Sequence, residues 1–286
     1  MRVALVVPGG VDRGGEPRVT PAILWLMERL ARRHDVHVLV PRQEPEPGRW
    51  SLRGATVHNV GRHFGRRKAL TQVTFACRAG EIFGLLGANG AGKTTTLRML
   101  YAVMRPDEGA IEVDAVDAVR EPQQAQARLG VMPDGFGLYP RLTAREHIHY
   151  FGELQGVSGA RLKQRTGELL DLLDLAAIAD RRTEGFSHGE RTKVALARAL
   201  VHDPRNVILD EPTNGLDVMS VRALRQLIRH LREEGRCVVF SSHVMQEVSA
   251  LCDRIVVVSQ GRAVATGTPE ELREKTGRAN LEDAFV

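Results

Sequence analysis

A glycine-rich segment that ends in lysine and threonine carries the clearest chemistry in this chain. Residues 87–94 read GANGAGKT, which matches the pattern GxxxxGK[ST], and they follow an apolar run at residues 82–86. Glycines allow consecutive backbone N–H groups to turn toward phosphate oxygens, and a helix that begins there adds the positive end of its dipole. The pattern therefore predicts a phosphate site in which Lys93 reaches the β- and γ-phosphates and Thr94 ligates Mg²⁺.

A second apolar run ends in two adjacent carboxylates. Residues 206–211 read NVILDE, so Asp210 and Glu211 directly follow a predicted buried strand. Alone, such a pair is also typical of a turn or of a helix start. Beside a phosphate site, Asp210 is suited to hold Mg²⁺ and Glu211 to orient and deprotonate an attacking water. The two segments together predict a site for ATP hydrolysis.

A polar segment lies between these two motifs. Residues 186–190 read FSHGE, and the spacing of Ser187 and Glu190 is that of a capping box at a helix start. The same helix N-terminus can present its remaining N–H groups to a γ-phosphate, and Gly189 allows a close approach. The structural and the ligand-binding interpretations are compatible, because a capped helix start keeps free N–H groups.

The elements that must position these residues alternate between strands and helices. Strands are predicted at residues 56–60, 72–78, 81–86, 207–210, 237–241 and 255–258, and helices at 93–101, 144–154, 161–173, 190–201, 218–233 and 245–252. Apolar strands that alternate with helices are typical of a mostly parallel sheet covered on both faces. The predicted fold class is therefore α/β.

The composition sets the wider limits. The chain has 286 residues, of which 43% are hydrophobic and 26% charged, as in ordinary globular proteins. No run approaches the ~18 apolar residues of a membrane helix, and the run at residues 1–8 is too short for a signal peptide. Three scattered cysteines argue against a disulfide framework or a zinc site. The net charge of +5 is spread along the chain, so no nucleic-acid partner is expected.

From about residue 55 to residue 286 the chain resembles the ATP-binding subunit of ABC transporters. Walker A at 87–94, a signature at 187–190, Walker B at 207–210, a D-loop at 214–217 and the switch histidine His243 follow in the family's order. The resemblance implies a P-loop NTPase fold, with a RecA-like parallel core, an antiparallel β subdomain and a helical subdomain at about 134–188. It also implies ATP and Mg²⁺ as cofactors.

The resemblance further implies partners and residue roles. The subunits are expected to form a homodimer or heterodimer on an integral membrane permease, in the cytoplasm at the inner face of the membrane. Catalysis is assigned to Glu211 and His243, and metal binding to Thr94 and Asp210. The nucleotide-binding set comprises Phe64 (adenine stacking), Gly87, Asn89, Gly90, Ala91, Gly92, Lys93, Thr94, Thr95, Asp134 (Q-loop), Ser187, Gly189, Glu190 and Asp217 (D-loop).

Three positions, in two motifs, depart from the family pattern. His188 and Glu190 replace the third and fifth residues of a signature that usually reads LSGGQ, and Asp134 stands where the family has a neutral glutamine. Asp134 would add negative charge near Mg²⁺ and the attacking water, which leaves its part in coupling open. The segment at 185–191 and the ending NLEDAFV resemble sodium-extrusion and drug-export members, so export of sodium or a drug-like substrate is expected.

The first 61 residues resemble a different protein family. An apolar strand at 2–7, a helix at 21–33 and a strand at 35–40 resemble the first β-α-β unit of a GT-B glycosyltransferase of the retaining, family-4 type. The donor-sugar half is absent, so glycosyl transfer is not expected, and residues 9–15 lack GxGxxG. We therefore predict a truncated, Rossmann-like fragment with a linker at 1–54 and the ATP-binding domain at 55–286.

Other functions remain open at this point. A fusion product with impaired or no transport function is the main alternative, and a genuine N-terminal extension of a transporter subunit is a variant of the first interpretation. A soluble ABC-type ATPase that acts on ribosomes or DNA usually carries two cassettes or a long coiled-coil insertion, and the sequence has neither.

Overall fold

The computed structural model describes four N-terminal strands and most of the chain after them. The structure describes the backbone of residues 2–6, 35–41, 49–52 and 55–60. It also describes residues 70, 73–107 and 109–276, with side chains up to residue 274. The chain divides into two compact units, residues 1–67 and 68–286. Each unit is described by itself.

The N-terminal unit contains a four-stranded sheet. Its strands are β1 (Arg2–Val6), β2 (Asp35–Pro41), β3 (Arg49–Leu52) and β4 (Ala55–Val60), in the order β1-β2-β4-β3. The pairs β1-β2 and β2-β4 are parallel, and β3-β4 is antiparallel. The predicted strands at 2–7 and 35–40 are confirmed, whereas the predicted helix at 21–33 and the loop at 9–15 lie outside the described residues.

The strand β4 corrects the predicted domain boundary. We expected residues 55–60 to open the ATP-binding domain. In the structure, Val57 pairs with Val38 of β2 on one side and with Trp50 of β3 on the other. A strand whose two edges are both paired has no free edge for another sheet. The boundary therefore lies between residues 67 and 68 rather than between 54 and 55.

A six-stranded sheet forms the centre of the second unit. Its strands are β5 (Ile82–Leu86), β8 (Leu129–Met132), β9 (Asn206–Leu209), β10 (Cys237–Ser242), β11 (Arg254–Ser259) and β12 (Arg262–Gly267). Two short strands, β6 (Glu112–Val113) and β7 (Val116–Asp117), form a separate hairpin. The order is β12-β11-β5-β10-β9-β8, with every pair parallel except β11-β12. All residues of β5 and β10 are buried, as expected for a sheet that is covered on both faces.

The described part of the second unit contains eight helices, some on the sheet and some packed on other helices. They are α1 (Lys93–Leu100), α2 (Pro122–Gln126), α3 (Ala144–Leu154), α4 (Gly159–Leu172), α5 (His188–Leu200), α6 (Val218–Glu233), α7 (Met245–Leu251) and α8 (Pro269–Thr276). Alternate residues of β5 enter two separate hydrophobic clusters: Ile82 and Leu86 join one, and Phe83 and Leu85 join the other. Two cores, one on each face, confirm the predicted α/β architecture. Among the described helices, none has the length and apolar character needed to cross a membrane.

One predicted strand does not form a ladder. Residues 73–78 alternate between half-buried and exposed side chains, as predicted, and Phe75 stacks on Phe83 with 5.0 Å between ring centroids. Within the described chain, however, the segment pairs with no strand. The segment thus packs on β5 through the Phe75 side chain without joining the six-stranded sheet.

Candidate active site

The predicted catalytic segments meet at one edge of the second sheet. Three adjacent parallel strands, in the order β5-β10-β9, end next to the glycine-rich segment, to residues 241–243 and to residues 210–211 respectively. Carboxyl ends of adjacent parallel strands are where α/β proteins bind ligands. The topology therefore brings together residues that are separated by more than a hundred positions in sequence.

The glycine-rich segment folds around the lysine ammonium group. Gly92 has φ 112 and precedes the first residue of α1, a backbone conformation that favours glycine. Lys93 is only 5% exposed, and its Nζ donates to the carbonyl oxygens of Gly87 at 2.8 Å and of Ala88 at 3.3 Å. The ammonium group is thus held inside the loop. The other predicted members of the segment lie at the exposed tip (Asn89, Gly90), in the core (Ala91) or on α1 (Thr94, Thr95).

Replacing Gly87 by alanine is expected to lower the free energy of unfolding by about 1–3 kcal/mol, the usual cost of overpacking. A Cβ atom on Gly87 would lie 2.3 Å from the carbonyl oxygen of Val258 in the neighbouring strand β11. Gly185→Ala is the control, because nothing lies within 4 Å of its Cβ position and its φ is outside the left-handed region. Urea unfolding of both variants measures the difference, and an equal or larger loss in Gly185→Ala would contradict the packing argument.

Glu211 connects two cationic or proton-donating groups. Its Oε1 lies 3.0 Å from Lys93 Nζ, and its Oε2 accepts a hydrogen bond of 2.9 Å from His243 Nδ1. The Glu211 side chain is 11% exposed and that of His243 is 40% exposed. The structure therefore brings together three residues that the sequence analysis singled out separately. Glu211 therefore supplies a counter-anion for the buried Lys93 ammonium group.

Asp210 has one satisfied and one unsatisfied carboxylate oxygen. Its Oδ1 accepts hydrogen bonds from Ser241 Oγ at 2.7 Å and from Thr94 Oγ1 at 3.3 Å, whereas Oδ2 is buried and has no hydrogen-bond partner. Burial raises the pKa of the Asp210 carboxyl, and the two hydrogen bonds oppose that rise. A buried carboxylate oxygen without a partner is costly. Mg²⁺ prefers oxygen ligands, so the oxygens of Thr94 and Asp210 fit this ion.

Asp134 follows a strand that the sequence analysis did not predict. The strand β8 ends at Met132, which pairs in register with Leu209, and the Met132 carbonyl oxygen accepts from Asp210 N at 2.9 Å. Asp134 is exposed two residues later, and its negative charge contributes to the raised pKa of Asp210. Its position at the same edge of the sheet is therefore consistent with the predicted Q-loop placement.

The signature segment forms the capped start of α5. Ser187 Oγ accepts from Glu190 N at 3.2 Å, and Glu190 Oε2 accepts from Ser187 N at 2.7 Å, which confirms the predicted capping box. Because Ser187 is the cap, α5 begins at His188 and not at residue 190 as predicted. His188 Nε2 donates to the carbonyl oxygen of Asn214 at 2.8 Å, so the signature contacts the D-loop.

The D-loop contacts both the signature segment and the carboxylate pair. Asn214 N donates to the Glu211 carbonyl oxygen at 3.1 Å, and Gly189 lies against Ser220 of α6. Asp217 Oδ1 accepts from the backbone N–H groups of Met219 and Ser220 at 2.9 and 3.0 Å, and Oδ2 accepts from the Ser220 hydroxyl at 2.7 Å. The hydrogen bond from the Ser220 hydroxyl, together with those from the backbone, lowers the pKa of Asp217. In this structure the carboxylate caps α6, and its predicted contact with nucleotide stays a prediction. Phe64 lies outside the described residues.

Two polar residues of the site were missed by sequence analysis. Ser241 Oγ accepts from Glu211 N at 2.9 Å, so the same hydroxyl contacts both residues of the carboxylate pair. Glu247 Oε2 accepts from Thr213 Oγ1 at 2.6 Å and from Ser242 Oγ at 3.1 Å. A signal was present in the sequence: two serines end an otherwise apolar strand directly before His243.

Known proteins resemble the second unit in sequence. The family profile described as ABC transporter matches residues 70–214. The ABC transporter ATP-binding protein NatA of Bacillus subtilis is 42% identical over 220 residues, which are 77% of this chain and 89% of that protein. The Nod factor export ATP-binding protein I of Paraburkholderia xenovorans is 39% identical over 213 residues, which are 74% of this chain and 70% of that protein.

Solved structures of ATP-binding cassettes also resemble this chain. An ATP-binding subunit of an ABC transporter aligns with a TM-score of 0.71 at 30% identity and covers 76% of this chain and 91% of its own. A dimeric ATP-binding cassette in a post-hydrolysis state with ADP and Pi aligns with a TM-score of 0.65 at 24% identity, covering 78% and 96%, and shares the fold. With the glycine-rich segment, the carboxylate pair and His243 assembled at one sheet edge, the chain belongs to the ABC transporter family as an ATP-binding subunit and ATPase.

Proposed function

We propose that this subunit hydrolyses ATP to drive export by a membrane permease. The observation that carries the proposed site is the bridging Glu211 carboxylate, which lies between Lys93 and His243 and beside Asp210. Lys93 binds the terminal phosphates, and Thr94 and Asp210 hold Mg²⁺. When bound, Mg²⁺ neutralises the charge of the phosphate oxygens.

Glu211 acts as the general base of this reaction. Phosphate oxygens compete with its Oε1 for Lys93, which releases one carboxylate oxygen from the ion pair. The released oxygen accepts a proton from the attacking water, while His243 holds the other oxygen and keeps the carboxylate oriented. The water oxygen then bonds to the γ-phosphorus, and the bond from that phosphorus to the bridging oxygen breaks, with ADP as the leaving group. Oriented donors around developing charge lower the barrier further.

Two copies form the working unit. The capped start of α5 presents N–H groups and the positive end of the helix dipole, which suit a phosphate bound by a second copy. Beside it, Val218 and Met219 begin α6 with 83% and 70% of their side-chain surface exposed. These two side chains offer apolar surface for contact with a second copy. The dimeric state of the neighbouring solved cassette supports the same arrangement.

The partner is a separate integral membrane permease that exports sodium or a drug-like molecule. The export named for one relative supports the direction of transport. The segment from Asp134 into α3 transmits the motion, and its surface exposes Tyr139, Tyr150 and Leu154 by 50%, 39% and 50%. Attached to the permease, the subunit lies in the cytoplasm at the inner face of the membrane.

The N-terminal unit is a remnant of a glycosyltransferase-like domain. Its parallel β1-β2-β4 arrangement supports this origin, together with the sequence resemblance at residues 1–61. The ABC transporter family profile begins only at residue 70. The relatives give no support to the alternative of a fusion product without transport function.

Hydrolysis measured against protein concentration tests the proposal. The purified full chain is expected to hydrolyse ATP with a specific activity that rises with protein concentration, because each site needs the signature helix of a second copy. A chelator of divalent cations is the control and should abolish turnover. A folded chain that binds no ATP, or an activity per molecule that is independent of concentration, would contradict the proposed dimeric mechanism.

A further inference from the structure

Ser241 contacts both residues of the carboxylate pair, and sequence analysis assigned it no role although it lies two residues before the switch histidine. It is fully buried at the end of β10, next to the strand that carries Asp210. We propose that Ser241 is a positioning residue that fixes the orientation of both the metal-binding and the proton-accepting carboxylate. This inference rests on the proposed function and adds a residue to that site.

The Ser241 hydroxyl group has only one proton, which determines its two contacts. The proton goes to Asp210 Oδ1 at 2.7 Å, and a lone pair of the same oxygen accepts the N–H of Glu211 at 2.9 Å. With the hydrogen bond from Thr94, Oδ1 is occupied, and Oδ2 is the oxygen that stays without a partner. Ser241 thereby selects the Asp210 oxygen that is free to bind a cation.

The second contact holds an unfavourable backbone conformation. Glu211 has φ 48, in the left-handed region, which is unfavourable for a residue with a side chain. Such conformations persist where surrounding contacts determine them. The N–H of Glu211 is held by Ser241, and its carbonyl oxygen accepts from Asn214 N at 3.1 Å. From this backbone, the side chain reaches Lys93 and His243.

The next residue provides a matched control. Ser242 is equally buried on the same strand, but its hydroxyl donates to Glu247 Oε2 at 3.1 Å and accepts from Val244 N at 3.0 Å. Removing either hydroxyl deletes the same atom from the same strand at the same burial. Only Ser241 contacts Asp210 and Glu211, so the two alanine variants separate positioning from general loss of a buried hydrogen bond.

The experiment compares Ser241→Ala with Ser242→Ala in the full chain. A fluorescent ADP analogue is titrated with Mg²⁺ and with EDTA, and the ratio of the two affinities gives the Mg²⁺ enhancement. We expect Ser241→Ala to lower this enhancement by about tenfold, as for a lost hydrogen bond to a charged group, and Ser242→Ala to leave it unchanged. ATP turnover at saturating Mg²⁺ should also be lower in Ser241→Ala than in Ser242→Ala, because the backbone N–H of Glu211 loses its hydrogen-bond acceptor.

Several outcomes decide between the interpretations. Equal Mg²⁺ enhancement in the two alanine variants would overturn the inference, even if both unfold more easily than the wild type. Recovery of the enhancement in Ser241→Thr, which keeps the hydroxyl, would support it. If Ser241→Ala does not fold, Ser241→Cys replaces it, since a thiol of similar size is a weak donor. A wild type that binds ADP without any Mg²⁺ enhancement would contradict the proposed metal site itself.

Discussion

Replacing Glu211 by glutamine is expected to lower the rate of ATP hydrolysis by roughly 10²–10⁴-fold, the usual contribution of a general base. Glutamine keeps the size of the side chain but cannot accept the proton of the attacking water. The substitution also removes the negative charge that lies 3.0 Å from Lys93 Nζ. Nucleotide therefore no longer competes with a carboxylate, and ATP should bind at least as tightly as to the wild type.

Two measurements check this expectation. Single-turnover hydrolysis gives the rate of the chemical step, and size-exclusion chromatography with ATP should show a stable dimer that the wild type does not accumulate. Glu153→Gln is the control, because Glu153 makes an exposed contact with His149 on α3. Turnover at the wild-type rate in Glu211→Gln would refute the role of Glu211 as base.

Replacing Lys93 by alanine is expected to weaken ATP binding about 30- to 5,000-fold, the range that corresponds to losing one partner of a buried charge pair. Lys93 is the buried cation at the end of the glycine-rich segment, and its ammonium group also satisfies two loop carbonyl oxygens. The substitution has a second effect, because it leaves the Glu211 carboxylate without its ion-pair partner. A loss of about 3–5 kcal/mol in the free energy of unfolding is expected from that effect.

A double substitution separates these two effects. In Lys93→Ala combined with Glu211→Gln, no charge is left unpaired, so most of the lost stability should return, whereas ATP binding should not. Urea unfolding measures the first quantity, and calorimetric titration with ATP the second. Recovery of ATP binding in the double variant would show that Lys93 acts only by holding Glu211.

The motifs of the site were predictable from the sequence, because they have local causes. The helix bounds at Ala144–Leu154 and Val218–Glu233 agree with the structure to the residue, since both helices begin directly after a capping side chain. The capping box of Ser187 and Glu190 was equally readable from four consecutive residues. Such features depend on neighbours in the chain, and no tertiary contact is needed to recognise them.

Other features could not be predicted because their causes are not local. The alternation at residues 55–60 and 72–78 indicated two strands of one domain, but which sheet a strand joins depends on distant edges. Pairing with β2 and β3 takes Ala55–Val60 into the N-terminal sheet. Ser241 was overlooked for the same reason, since a serine in a strand becomes informative only when Asp210 of the adjacent strand lies beside it.

The ion pair between Lys93 and Glu211 also bears on which anions Lys93 can bind. Lys93 has a counter-anion within its own chain, and His243 contacts the same carboxylate. A monovalent anion such as chloride offers no more charge than the carboxylate that it would have to displace. The ion pair therefore favours an anion that carries several charged oxygen atoms, such as a phosphate chain.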